Sequence, residues 1–250
     1  MKRKEVFDQQ TDFFSAEKID EIAVLSFKEK LFLQLTGWEA KGKVLDYFDF
    51  VSRSDAIKVI IIESPYHAWY EDFFEFYSRS SGSELDTTEF HRMFNAVNQF
   101  ILSIVESEKI VIHVSAGDVI PMLFSINLAC DYSVVSEDAV FSFPHLELGL
   151  IPKGGIAFLL SKMLGVRKAS EILLSDQDIP AKEALSLGMV DGIVPADKLR
   201  ESALSKAREF ARYPQHSLSG IKRLLNHTLG DLKASLDLEN RILLRIIAGC

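Results

Sequence analysis

Residues Ala129 to Gly155 read ACDYSVVSEDAVFSFPHLELGLIPKGG, and the architecture is read outward from them. YSVVS and AVFSF are short runs rich in β-branched and aromatic residues and predict two strands. The second runs into Pro144, then a histidine, an apolar run, and Pro-Lys-Gly-Gly. A histidine placed straight after that proline needs a reason.

Downstream, IAFLLSKMLG and RKASEILLS predict helices. AKEALSL predicts a short helix, with Pro180 near its start and Gly188 just past its end. MVDGIVP reads as a last strand, and from Asp197 onward the pattern is helical. Upstream, Pro121 opens an apolar helix, PMLFSINLAC, preceded by the buried strand candidate KIVIHVS. Before that, Phe90, Met93, Phe94, Val97, Phe100, Ile101, Ile104 and Val105 recur at helical spacing. EIAVLSF and IKVIIIES predict two further strands, and an irregular aromatic and acidic stretch separates the second from the helix. Strands alternate with helices to about residue 195. The expected organisation is an α/β core over 1–195 and a helical C-terminal region over 196–250.

The chain has 250 residues, 48% of them hydrophobic, enough for a sizeable core. Its net charge of −8 argues against a nucleic-acid or membrane-surface binder, which would need a basic face. The two cysteines, Cys130 and Cys250, fit a reduced compartment, and residues 1–20 are too polar for a signal peptide. No apolar run approaches the roughly 20 residues that span a bilayer. A cytoplasmic protein is expected. The six histidines are scattered without ligand spacing, so no metal site is expected.

ACDYSVVSEDAVFSFPHLELGLIPKGG, followed by LGVRKASEILLSDQDIPAKEALSLGMVDGIVP, resembles the enoyl-CoA hydratase/isomerase (crotonase) family. The resemblance runs from about Ile57 to Arg212. The family's N-R-P signature is missing; SFKEKLFLQLTGWEA stands there instead. The resemblance implies a crotonase-like α/β spiral of ββα turns with a C-terminal helical extension for oligomerisation, assembled as a homotrimer or a dimer of trimers. It also implies an acyl-CoA thioester as substrate, no further cofactor, and an oxyanion hole of two backbone N–H groups.

Carried over on Ala129-Cys130-Asp131, one donor falls on Met122, at a helix start where the family has Gly-Gly and this chain has Pro121-Met122. Aligning Asp72 with the aspartate of the family's first loop puts the other donor on Glu71 and Tyr70 on the glycine, beside Trp69. The family's hydratases add water with two glutamates, and their positions fall on Ser125 and His145. Neither is a carboxylate. A histidine is a competent proton-transfer group near neutral pH, whereas a serine hydroxyl is a poor base that can orient water. Glu147 would share a face with His145 if the segment were extended. His113 and His67 are weaker candidates, and Asp118 lies where the family's loop approaches the pantetheine arm. A triad of Ser125, His145 and Asp118 has no nucleophile elbow behind it. Lys222 and Arg223 fall where similar proteins place cations that reach CoA phosphates. Three readings remain: a thioester-enolate enzyme that is not a hydratase, a member that has lost chemistry and binds acyl-CoA or a protein partner, or a purely structural role.

Overall fold

The computed structural model describes residues 6–28, 38–64, 87–175 and 177–247. The strands β3 (Ile22–Phe27), β4 (Val59–Ser64) and β5 (Ile110–Ser115) pair in parallel, and β7 (Tyr132–Ser136) and β10 (Gly192–Val194) continue the sheet on the β5 side. On the other side, β2 (Phe14–Ile19) lies antiparallel to β3, and the two-residue β1 (Gln9–Gln10) lies antiparallel to β2. Every residue of β4 and β5 is buried, as expected of parallel strands covered on both faces.

Period-two alternation divides these strands between two cores. Ile60, Ile62 and Val111 face a large core with α1 (Trp38–Arg53), α2 (Thr87–Glu106) and α3 (Pro121–Ala129). Val59, Ile61, Ile110 and Ile112 face the opposite way, against Leu199, Ala203 and Ala207 of α6 (Leu199–Ala211). The first helix of the C-terminal region therefore covers the back of the sheet, and small residues allow its close approach.

A second, small sheet holds β6 (Asp118–Val119), β8 (Val140–Phe141) and β9 (Ile179–Pro180). The runs IAFLLSKMLG and RKASEILLS form one helix, α4 (Ile156–Leu173), broken at Gly165, whose φ of 78° explains why a glycine stands there. After α5 (Ala181–Ser186) and β10 come α6, α7 (Gln215–Asn226) and α8 (Leu232–Ile247). Leu232, Leu236 and Leu243 of α8 are buried in the large core, beside α2 and α4. Among the described residues no helix is long and apolar enough to cross a membrane.

Besides the two-residue strands β1, β6 and β9, strand β2 and helix α1 are absent from the sequence reading. The β2–β3 hairpin turns at Asp20, with φ of 54°, a conformation that aspartate tolerates without the usual glycine signal. Helix α1 lies partly in the stretch that departs from the family's pattern.

Candidate functional site

Helix α3 is wholly buried. Its N-cap is Ile120, in extended backbone, and no side chain caps the helix. Pro121 has no N–H to offer, and the Phe124 N–H is already bound to the Ile120 carbonyl at 2.9 Å. The N–H groups of Met122 and Leu123 therefore stand at the positive end of the helix with no side-chain cap. Met122 also lines an apolar pocket with Phe27, Val44, Val97, Phe100 and Ile126.

Ser125 lies three residues along α3. Its hydroxyl is fully buried and donates to the Met122 carbonyl at 2.7 Å. The Pro-Lys-Gly-Gly turn closes directly on it: a Cβ at Gly154 would come within 2.4 Å of Ser125 Oγ. Gly154 also has φ of +86°, so both space and backbone require a glycine there.

His145 is 3% exposed. Its Nε2 donates to the Leu173 carbonyl at 2.9 Å, which fixes the proton on that nitrogen. The acceptor is one of the last carbonyls of α4, left without an intrahelical partner. The ring stands edge-on to Phe143. A reason for a histidine after Pro144 is thus visible: it ties the turn to the C-terminal end of α4.

The segment after Phe143 is a hydrogen-bonded turn and not a strand, with Leu148 N–H bound to Pro144 O and Leu150 N–H to His145 O. Residues two apart then diverge, so Glu147 is exposed while His145 is buried; the expectation of a shared face is corrected. Ser125 sends its proton to Met122 O rather than to His145, so the triad with Asp118 is not assembled. Asp118 opens β6, half-buried. Glu71, Tyr70, Asp72, Trp69 and His67 lie outside the described residues.

His113 is fully buried on β5, as expected of a core histidine. The Asn127 Nδ2 donates to Met189 O at 2.7 Å, so its Oδ1 faces His113 Nδ1, 3.4 Å away. His113 Nδ1 is then the donor, and Nε2 accepts the Ser64 hydroxyl at 3.2 Å. Burial pushes the His113 pKa down to about 4, against a smaller upward effect of Asn127.

Lys222 corrects the phosphate expectation. Its ammonium is buried and donates to Ile104 O and Lys109 O at 3.0 Å each and to Asp131 Oδ2 at 2.7 Å. An ammonium has three donors, and all are used within the chain. Ile104 belongs to the last turn of α2, and Asn226 donates to the adjacent Val105 carbonyl at 2.8 Å, so α7 caps that helix. Arg223 is exposed.

A second buried charge centre was not anticipated. Lys153 and Glu239 pair at 3.1 Å, with Lys153 also bound to Asn98 Oδ1 and lying over the Phe94 ring. The Glu239 carboxylate accepts Gly154 N–H at 2.5 Å and Gly155 N–H at 2.9 Å. Burial lowers the Lys153 pKa, and Glu239 opposes that shift. One signal was available: Leu232, Leu236, Glu239 and Leu243 share one stripe of α8, so a carboxylate stands on the apolar face.

Comparison with known proteins follows the same lines. YhaR of Bacillus subtilis (strain 168), which carries the enoyl-CoA hydratase/isomerase name, is 29% identical over 119 residues. That match covers 48% of this chain and 47% of the relative, about half of each. The structure of enoyl-CoA hydratase from Bacillus halodurans superposes with a TM-score of 0.81 at 18% identity, covering 94% of this chain and 95% of that one. An enoyl-CoA hydratase from Mycobacterium avium subsp. paratuberculosis K-10 gives a TM-score of 0.76 at 20% identity, covering 93% and 89%. At these identities the structures speak for the fold. The family model described as enoyl-CoA hydratase/isomerase matches residues 43–248, nearly the whole chain, and this chain belongs to the enoyl-CoA hydratase/isomerase family.

Proposed function

We propose that this chain binds an acyl-CoA thioester and stabilises its enolate in a reaction other than hydration. The observation that carries this reading is the start of α3: N–H groups without a side-chain cap, beside an apolar pocket that Met122 itself lines. An N–H at a helix start, with the dipole behind it, stabilises an oxyanion. Met122 N–H is one donor, and Glu71 N–H is the other. In the slots that the resemblance gives to hydratase carboxylates stand Ser125 and His145, so paired-carboxylate water addition would lack its carboxylates at those two positions. Isomerisation, decarboxylation or hydrolysis needs fewer groups, with His145 moving the proton and Ser125 orienting a polar atom. Exposed Ile221, Leu224 and Leu225 on α7 offer an apolar face for self-association. The resemblance gives that assembly as a homotrimer or dimer of trimers, in a cytoplasmic protein.

A specific observation favours a second reading. His145 donates to Leu173 O and Ser125 to Met122 O, bonds that hold structure together. A member that keeps the thioester site and no longer turns it over would be built this way, serving as an acyl-CoA or protein-binding module.

A thermal-shift panel with CoA, acetyl-CoA, crotonyl-CoA and larger branched acyl-CoAs tests binding. A ligand at 100 times its Kd stabilises the fold by about 2.7 kcal/mol, and the expected shift depends on the acyl group. No shift with any thioester would remove the acyl-CoA reading. The His145→Ala variant then separates the two. In the enzyme, turnover falls by about 10²- to 10⁴-fold while acyl-CoA still binds. In the binder there is no rate to lose, and the variant shows only a stability loss of about 1–3 kcal/mol from the lost hydrogen bond.

A further inference from the structure

The centre built by Lys153, Glu239 and Asn98 lies outside the groups of the proposed thioester site, yet it touches their frame. Glu239 comes from α8, 84 residues beyond Gly155, and its two oxygens take the N–H groups of both glycines in the Pro-Lys-Gly-Gly turn. Those N–H groups belong to the N-cap Gly155 and to the residue before it, at the entry to α4, a helix start that no side chain caps. Glu239 therefore supplies from a distance the anion that the helix start calls for. The glutamate is fixed in turn: Lys153 pairs with its carboxylate, Asn98 accepts from Lys153, and Asn98 Nδ2 donates to the Leu236 carbonyl at 3.3 Å. The other side of the turn is Gly154, in close contact with Ser125 and Val97. Val97 lines the apolar pocket beside Met122, and Ser125 bonds to Met122 O. A continuous chain of contacts thus runs from the α8 carboxylate, through the glycine turn, to the helix start.

We propose that Glu239 is a positioning residue for the thioester site: its carboxylate holds the Gly154–Gly155 turn against Ser125 and so couples the docking of α8 to the shape of the α3 wall. This rests on the reading that places the thioester at the start of α3. The two glycines have no side chains of their own to hold them there, and both sit at positive φ, +86° and +80°. Without the carboxylate, two N–H groups and an ammonium lose their shared acceptor at once. The turn then drifts from Ser125, and the wall it supports loosens with it. Coupling is reciprocal, so a thioester bound at α3 protects the turn and α8.

The test uses the full chain and compares Glu239→Gln with Leu243→Ala. The first substitution keeps the shape of the side chain and removes its charge. Leu243 is buried one turn beyond Glu239 on the same helix and is not against Gly154 or Gly155, so its truncation lowers stability and leaves the carboxylate and the neighbours of the turn in place. Amide exchange of Gly154, Gly155 and residues 122–125 is measured for both, at denaturant concentrations that match their global stability. Glu239→Gln is expected to exchange at least about tenfold faster at the glycines and at the α3 start, while Leu243→Ala stays near wild type. Equal protection in the two variants overturns the proposal, because Glu239 then acts only through general stability. Affinity for the acyl-CoA found with wild type forms a second arm, with a loss of about tenfold expected in Glu239→Gln alone. Failure of wild type to bind any thioester counts against the function proposed above, while the exchange comparison still decides whether Glu239 positions the turn.

Discussion

Lys222→Ala should destabilise the fold by about 3–5 kcal/mol, the cost of breaking a buried ion pair from one side. The side chain is almost inaccessible, and its ammonium joins three segments: the end of α2 at Ile104, the approach to β5 at Lys109, and Asp131 after α3. Burial already raises the Asp131 pKa, and Lys222 opposes the rise together with the Val111 N–H. Without the lysine, two carbonyls lose this donor and the carboxylate loses its cation, keeping the Val111 N–H at 2.8 Å. Urea melts at neutral pH measure the effect directly. Arg223→Ala, one residue on and exposed, should change stability by no more than about 0.5 kcal/mol. A Lys222→Ala protein as stable as Arg223→Ala would show that the buried ammonium is dispensable, contrary to the role argued here.

Acid should remove about 3 kcal/mol of stability through His113 alone. Its folded pKa is about 4, against about 6.5 when unfolded, a difference of about 2.5 units at about 1.36 kcal/mol each. The folded state therefore holds the proton more weakly than the unfolded chain. The stability is fully present above pH 6.5, falls as pH drops from 6.5 through 4, and is lost below that. Protonation sets Nε2–H against the Ser64 hydroxyl, whose only donor already points at that nitrogen. The measurement is denaturation free energy at pH 7, 5.5 and 4 for wild type and His113→Gln. Carboxylates titrate in both proteins, so the informative quantity is the difference between them, which should narrow by about 3 kcal/mol toward pH 4. Parallel profiles would mean that His113 is not buried neutral.

Much of the fold was legible because its signals are local. The continuous β-branched runs of β4 and β5 announce strands covered on both faces, and the helical period of α2 is unbroken. Helix α1 carries the same period in Ala40, Val44, Tyr47, Phe48 and Val51, but Gly42 between two lysines dilutes it. The hairpin before β3 was hidden by a turn made with Asp20 instead of glycine. The site was legible to the level of positions and no further. The family resemblance could place His145 in a slot, yet its acceptor, Leu173 O, is 28 residues away and is left open by the end of another helix. Lys222 looked like a cation on a helix face because nothing local tells that the face meets the end of α2. Glu239 was missed for the complementary reason: its meaning lies in two glycine amides more than 80 residues earlier. Backbone carbonyls and amides carry no mark in a sequence, and in this protein they are the partners that decide what each polar side chain does.

The described sheet ends at one margin in Gln9–Gln10 and at the other in the three residues Gly192–Val194. An unfolded neighbour seeking a template finds two or three rungs at either margin, while the sticky ladders of β4 and β5 are sealed in the middle. Strand-by-strand growth between molecules is thereby starved at both ends. Association in crowded solution is left to the helices, where the apolar residues of α7 stand outward.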